Sequence, residues 1–285
     1  MLRPLTLAAL LFCALPAAAQ AAPALWEVSD ADSHVWLFGS IHVLPPGVAW
    51  RTPAFDNALH QAEQVYFEAD IGPLGQMALA IKSIQLAMAG NDPWIGKMTP
   101  EEMGQLDHSA TPLGLDIGQL LHFQPWLAEA MIEERVMEKA GFNPALGVDT
   151  VLQAELPKEK KAYFETAVGQ MEMLAADPLD VQVKRLMTTV HGIDKLPQEI
   201  KDLAATWQAG DTDGLAKQVA DDPTVDAAFA QRMVLDRNAN WVTTLEQLLA
   251  QNHNDLIVVG AGHLVGDGSV VDLLSKAGFT VQRIQ

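Results

Sequence analysis

Two short phrases at opposite ends of the chain constrain its fold more than any other feature. HVWLFGSIH runs from His34 to His42, and DLIVVGAGH runs from Asp255 to His263. Each is an apolar run closing in Gly-x-x-His, with Gly39 and His42 in the first and Gly260 and His263 in the second. An apolar run of this length bounded by glycine reads as a strand. Glycine where a strand ends permits close approach of backbone or ligand. Histidine just beyond offers an imidazole lone pair near neutral pH, suited to holding a metal or moving a proton. Strands distant in sequence commonly meet in one sheet. The simplest compact arrangement therefore puts both phrases on neighbouring strands, with the two histidines facing one cleft.

The rest of the chain builds around these phrases. Leu25 to Val28 and Val35 to Leu44 form a predicted hairpin across the turn SDADS, ended by Pro45, Pro46 and Gly47. Thr52 and Pro53 read as N-cap and first position of a helix reaching Ala62. VYFEAD, from Val65 to Asp70, reads as a strand ending in acids. From Gly75 to about Gln251 the apolar spacing is helical, broken at Asn91-Asp92-Pro93, Thr99-Pro100, Asn143-Pro144, Pro157 and Pro223. Lys161 to Glu165, containing AYFE, is a candidate short strand within that region. LIVVG, SVVDLLSKAG and FTVQRI then read as strand, helix and strand. The expected fold class is α/β: a mixed central sheet built from both chain ends, with a large helical middle region, in a single domain over 22–285.

The first residues, MLRPLTLAALLFCALPAAAQAAP, combine Arg3, an apolar stretch and Ala-x-Ala cleavage candidates at Ala19 or Ala21. Residues 1–21 are expected to be a secretory signal peptide, and the product to be exported, periplasmic or secreted. The one cysteine, Cys13, lies in this leader without a convincing lipobox, because Phe12 precedes it. A mature chain without thiols excludes cysteine ligands and a cysteine nucleophile. No later run is apolar enough to span a bilayer. A formal net charge of −18 argues against nucleic-acid and anionic-lipid partners.

Beyond His42 and His263, the other six histidines lack a comparable setting. One strand-end histidine is more often structural than functional, and it is the paired occurrence in matched contexts that singles these two out. Glu68 closes an apolar strand, at the end where α/β sheets bind ligands, and Asp70 shares its face. Two histidines with one glutamate form a known catalytic set for zinc-like ions, leaving a position open for water. Arg237 and Asn238 lie in LDRNANW, on an expected helix with Trp241 one turn on. The arginine could orient Glu68, stabilise an oxyanion or make a structural ion pair. Glu165 repeats the setting of Glu68 with weaker flanks. GAGHLVG lacks the glycine spacing of a dinucleotide fingerprint, and Ser40 lacks the Gly-x-Ser-x-Gly elbow.

At these residues the sequence resembles the TraB/GumN family, related to Tiki-type metalloproteases and more distantly to ChaN-like and erythromycin-esterase-like proteins. The phrases that carry the resemblance are LWEVSDADSHVWLFGSIHVLPPG, VYFEAD, AYFET with Gln170, RNANW and VVGAGHLVGDGSVVDLLSKAGFTV, spread over the mature chain. The resemblance implies a metal-dependent hydrolase, with His42, His263 and Glu68 at a divalent ion (zinc, manganese or cobalt) and Arg237 as a recurrent site residue. A peptide or other small substrate is the implied partner. Two alternatives stay open: a metal-free esterase-like hydrolase using a histidine base, and a non-enzymatic protein that binds haem or another ligand.

Overall fold

The computed structural model describes residues 21–88 and 94–285. Its six strands are β1 (Leu25–Ser29), β2 (His34–Ser40), β3 (Val65–Phe67), β4 (Lys161–Tyr163), β5 (Asp255–Gly260) and β6 (Thr280–Arg283). They form one mixed sheet in the order β4-β3-β5-β2-β1-β6. The expected α/β class and the contribution of both chain ends are borne out. β1 and β2 make the hairpin, with Leu25 opposite Phe38 and Ser29 opposite His34, and β6 adds to the free edge of β1. The Gly-x-x-His strands are neighbours: β2 and β5 run parallel, Gly39 opposite Val259 and Ser40 opposite Gly260. β3 continues parallel to β5, and β4 parallel to β3.

The apolar runs are continuous because β2 and β5 are covered on both faces. Trp36, Phe38, Leu256 and Val258 join one core with Phe55 of α1 (Pro53–Gln61). Val35, Leu37, Ile257 and Val259 join the other, with Trp241 and Leu245. The helices that matter below are α2 (Pro73–Ala87), α3 (Pro125–Lys139), α4 (Val148–Glu155), α5 (Ala167–Leu174), α6 (Leu179–Gly192), α7 (Asp236–Ala250) and α8 (Val270–Lys276). Helices between Trp94 and Ile193 enclose a third core, around Trp94, Leu106, Ile132, Leu186 and Val190.

Local signals place the helix starts as read. The Thr52 hydroxyl accepts from Phe55 N, and Thr99 with Glu102 forms a complete capping box before Pro100–Ala110. The Asn91–Pro93 break lies outside the described residues. Several strands are shorter than expected: β4 ends at Tyr163, not Glu165, and β6 covers only Thr280–Arg283 of FTVQRI. β2 stops at Ser40, not Leu44, because its partner β5 ends opposite it at Gly260. The backbone beyond is taken by other elements: Ile41 O accepts from Val148 N, and Leu44 O accepts from Asn143 N. β3 stops at Phe67, not Asp70, since Asp70 turns its carboxylate onto Gly72 N to open α2.

This topology has one consequence for function. β4, β3, β5 and β2 are adjacent and parallel, so their C-terminal ends share one edge of the sheet, where open α/β folds place ligands. Glu165, Glu68, His263 and His42 each follow one of those ends within three residues.

Candidate functional site

The two glycines of the repeated phrase do different things. A Cβ on Gly39 would lie 2.9 Å from Ala261 Cα and 3.0 Å from its Cβ. Bare backbone at Gly39 therefore lets the single turn Ala261–Leu264, which carries His263, sit against β2. A Cβ on Gly260 would instead stand among polar groups, 3.1 Å from Glu68 Oε1, 3.5 Å from His263 Cδ2 and 3.8 Å from His42 Nε2. Glu68 and both histidines thus converge around Gly260.

His42 sits at the solvent side of this cluster. Its Nδ1 is 2.8 Å from Asp149 Oδ2, and the other Asp149 oxygen accepts the Ser40 hydroxyl at 3.0 Å. Asp149 is buried in the first turn of α4, held against the loop by Gly147, where a Cβ would run into His42 O. The neighbouring Asp149 carboxylate raises the imidazolium pKa to about 9. The His42 side chain is 65% exposed, so solvent screens that pair while leaving Nε2 accessible.

His263 is the opposite case. It is buried, with its ring 4.5 Å from that of Trp241. Asn238 Nδ2 donates to Gly268 O, which turns Asn238 Oδ1 toward His263 Nδ1 at 2.6 Å. Arg237 NH1 approaches Nε2 at 3.0 Å, and a guanidinium can only donate. His263 therefore carries its proton on Nδ1 and accepts at Nε2. Burial above all, joined by the positive charges of Arg237 and His42, overcomes the attraction of Glu68 and lowers its pKa to about 4. One imidazole is exposed and readily charged, the other buried and neutral. Environments that drive two like groups apart are what acid–base chemistry uses.

Glu68 lies between them. Oε1 accepts Gly260 N at 2.7 Å, and Oε2 accepts Arg237 NH2 at 2.5 Å and Gln170 Nε2 at 3.0 Å. Burial pushes its carboxyl up, but the charges of His263 when protonated, Arg237 and His42 outweigh that and hold it at about 2. Glu165 completes the cluster, accepting Arg237 Nε at 3.0 Å and Trp241 Nε1 at 2.9 Å. Arg237 also gives NH1 to Met233 O at 2.8 Å, so four of its five N–H groups are engaged. It leaves a π-helical turn, Gln231–Leu235, as α7 begins. Such turns recur at functional sites.

The structure therefore brings together His42, Glu68, His263, Arg237 and Glu165. It leaves out Asp70, whose carboxylate is spent on the turn into α2, so the expectation that Asp70 shares the face of Glu68 is corrected. The remaining histidines lie elsewhere, as with His34 beside Glu27 and His191 beside Gln105. Asp149 and Gln170 are members the candidate set lacked, and Asn238 enters it only beside Arg237, with no role of its own. Asn238 and Gln170 stand within conspicuous phrases, whereas Asp149 has no local signal.

Among the described residues, no three His, Cys, Asp or Glu side chains are grouped as a metal centre. The chemistry of the donors nonetheless suits one. Each imidazole has Nδ1 on an oxygen partner and Nε2 directed inward, the orientation that metal-ligating histidines take. Two such nitrogens with a carboxylate match a zinc-type ligand set. Arg237 stands against it, holding His263 Nε2 and, with Gln170, Glu68 Oε2.

Relatives fit this picture at the level of family. An uncharacterized protein of Treponema pallidum (strain Nichols) is 19% identical over 268 residues, 88% of this chain and 80% of that protein. A metalloprotease TIKI homolog of Amphimedon queenslandica is 31% identical over 71 residues, 24% of this chain and only 14% of that protein. No solved structure matches the chain. The family model described as TraB/PrgY/gumN matches residues 24–283, and the chain belongs to the TraB/PrgY/gumN family.

Proposed function

We propose that this protein is an exported, metal-dependent hydrolase acting on peptide bonds at the cluster around Gly260. The observation that carries the reading is the convergence of two anchored imidazoles and an ionised carboxylate at the C-terminal edge of parallel strands. The short similarity to a TIKI homolog supports the choice of chemistry. The leader-like residues 1–21 support export to the periplasm or beyond.

His42 and His263 would hold the ion through Nε2, with Glu68 as third ligand or as the acceptor of a proton from water. A divalent ion, when bound there, polarises the scissile carbonyl and acidifies water. Asp149 and Asn238 each hold the Nδ1–H of one imidazole, so Nε2 is the nitrogen left for an ion, as a lone pair at neutral His263 and after loss of the Nε2 proton at His42. With an ion at His263 Nε2, the Arg237 N–H groups that now meet His263 and Glu68 would be freed as donors to a developing oxyanion. Trp241 and Phe164, stacked at 5.3 Å, keep water from the inner side of Arg237 and His263.

Hydrolysis of a peptide library by the purified mature chain tests this, with and without a chelator. Activity that depends on an added divalent ion and disappears in His42→Ala and His263→Ala is expected. Activity untouched by chelation would instead favour a metal-free hydrolase. The His42–Asp149 pair is the observation behind that second reading, since its exposed Nε2 could move a proton unaided.

A further inference from the structure

We infer that Arg237 is the resident cation of this centre, and that a divalent ion enters only by exchanging with it. The inference rests on the proposed ion-binding role of His42, His263 and Glu68. An imidazole nitrogen has one lone pair, and at His263 Nε2 that pair already accepts from Arg237 NH1 at 3.0 Å. The ring cannot offer its other nitrogen, because Nδ1 is committed to Asn238 Oδ1, itself oriented by Gly268 O. Coordination at His263 and the Arg237 hydrogen bond are therefore mutually exclusive. The same guanidinium neutralises Glu68 through NH2, so an arriving ion also competes for the carboxylate.

The surroundings allow the exchange without dismantling the site. Arg237 Nε is held by both oxygens of Glu165, at 3.0 and 3.1 Å, through a different nitrogen from the one that meets His263. That pair can serve as a pivot while NH1 and NH2 swing off His263 and Glu68. The π-helical turn Gln231–Leu235, whose Met233 O also holds NH1, is the backbone element adjacent to the pivot. A buried guanidinium that pairs with Glu68 before the ion arrives keeps that carboxylate compensated, and it makes ion affinity lower than the bare donors would give. Arg237 thus sets the affinity and guards the ligands.

The test is Co2+ binding to the chelator-stripped full chain, followed by calorimetry and by the visible absorption of bound cobalt. Arg237→Met, which has no donor, should bind at least tenfold more tightly than the unaltered protein. Arg237→Lys can pair with Glu68 or Glu165 but cannot bridge to His263 as well, so it should fall between. In Arg237→Ala, added methylguanidinium should weaken Co2+ binding again, and it should have no effect on the unaltered protein. Equal or weaker binding by the folded variants overturns the inference while leaving the ion site intact. Absence of Co2+ binding in every folded form defeats the ion site itself and the inference with it. Should Arg237→Met and Arg237→Ala fail to fold, the Arg237→Lys comparison decides: affinity no higher than that of the unaltered chain overturns the inference.

Discussion

Replacing each glycine of the repeated phrase with alanine should separate folding from function. In Gly39→Ala the new methyl meets backbone, Ala261 Cα at 2.9 Å, which cannot move without shifting the turn that carries His263. Overpacking of that kind costs about 1–3 kcal/mol, and each kcal/mol lowers the melting temperature by roughly 2–4 °C in a chain of this size. In Gly260→Ala the nearest atom is Glu68 Oε1 at 3.1 Å, the tip of a side chain that can yield by a few tenths of an ångström. The stability cost there should be smaller, about 1 kcal/mol or less. The methyl, however, occupies the space between Glu68 and the two histidines, and ion sites tolerate only about 0.2 Å of misplacement. Thermal melts by circular dichroism and Co2+ titration of both variants are the assay. Gly39→Ala should melt lower, and Gly260→Ala should bind cobalt at least tenfold more weakly at nearly the original melting temperature. The opposite assignment, a fragile Gly260→Ala that still binds and a stable Gly39→Ala that does not, would refute the reasoning.

Other outcomes follow from the same geometry. Asp149→Asn removes the anion that raises the His42 pKa, so the His42 titration midpoint followed by NMR should fall from about 9 toward the ordinary imidazole value. A midpoint that stays put would show that Asp149 does not set it. In the helical core, Glu129 on α3 is buried with its carboxylate on Thr189 of α6, and burial with the nearby charge of Glu133 raises its pKa to about 8. A raised carboxyl contributes stability that is fully present below about 4.5 and is lost as pH rises toward 8, by at most about 1.4 kcal/mol per pH unit. Glu129→Gln keeps an acceptor for Thr189 without ionising, so it should gain melting temperature relative to the unaltered chain at pH 8 and little at pH 4. An equal difference at both values would count against that assignment. Acidification works the other way at His263: its lowered pKa means stability held above pH 6.5 and lost toward pH 4, and His263→Gln should flatten that limb of the melting curve.

Much of the site was legible because its members stand at strand ends. The apolar runs before Gly39 and Gly260 announced two buried strands, and parallel pairing of those strands follows once both must be covered on each face. Glu68 and Glu165 were legible for the same reason, one residue past β3 and two past β4. Asp149 was not. It reaches His42 from the first turn of a helix that begins over a hundred positions later, and only the close packing of Gly147 on His42 O brings it there. Nor does alternation reveal where a strand stops. β2 ends when its partner does, so the residues from Ile41 to Leu44, apolar enough to continue, are drawn off to pair with Val148 and Asn143. Proline and threonine marked helix starts well, since a cap is a local bargain between one side chain and the next few N–H groups.

A crystal of the mature chain soaked in cobalt and measured at the cobalt absorption edge would decide whether this cleft is an ion-dependent catalytic centre. The expected result is one anomalous peak about 2.0–2.2 Å from Nε2 of both His42 and His263, with the guanidinium of Arg237 turned away toward Glu165. A fully soaked crystal with no peak in that position, and Arg237 still bonded to His263, would contradict it.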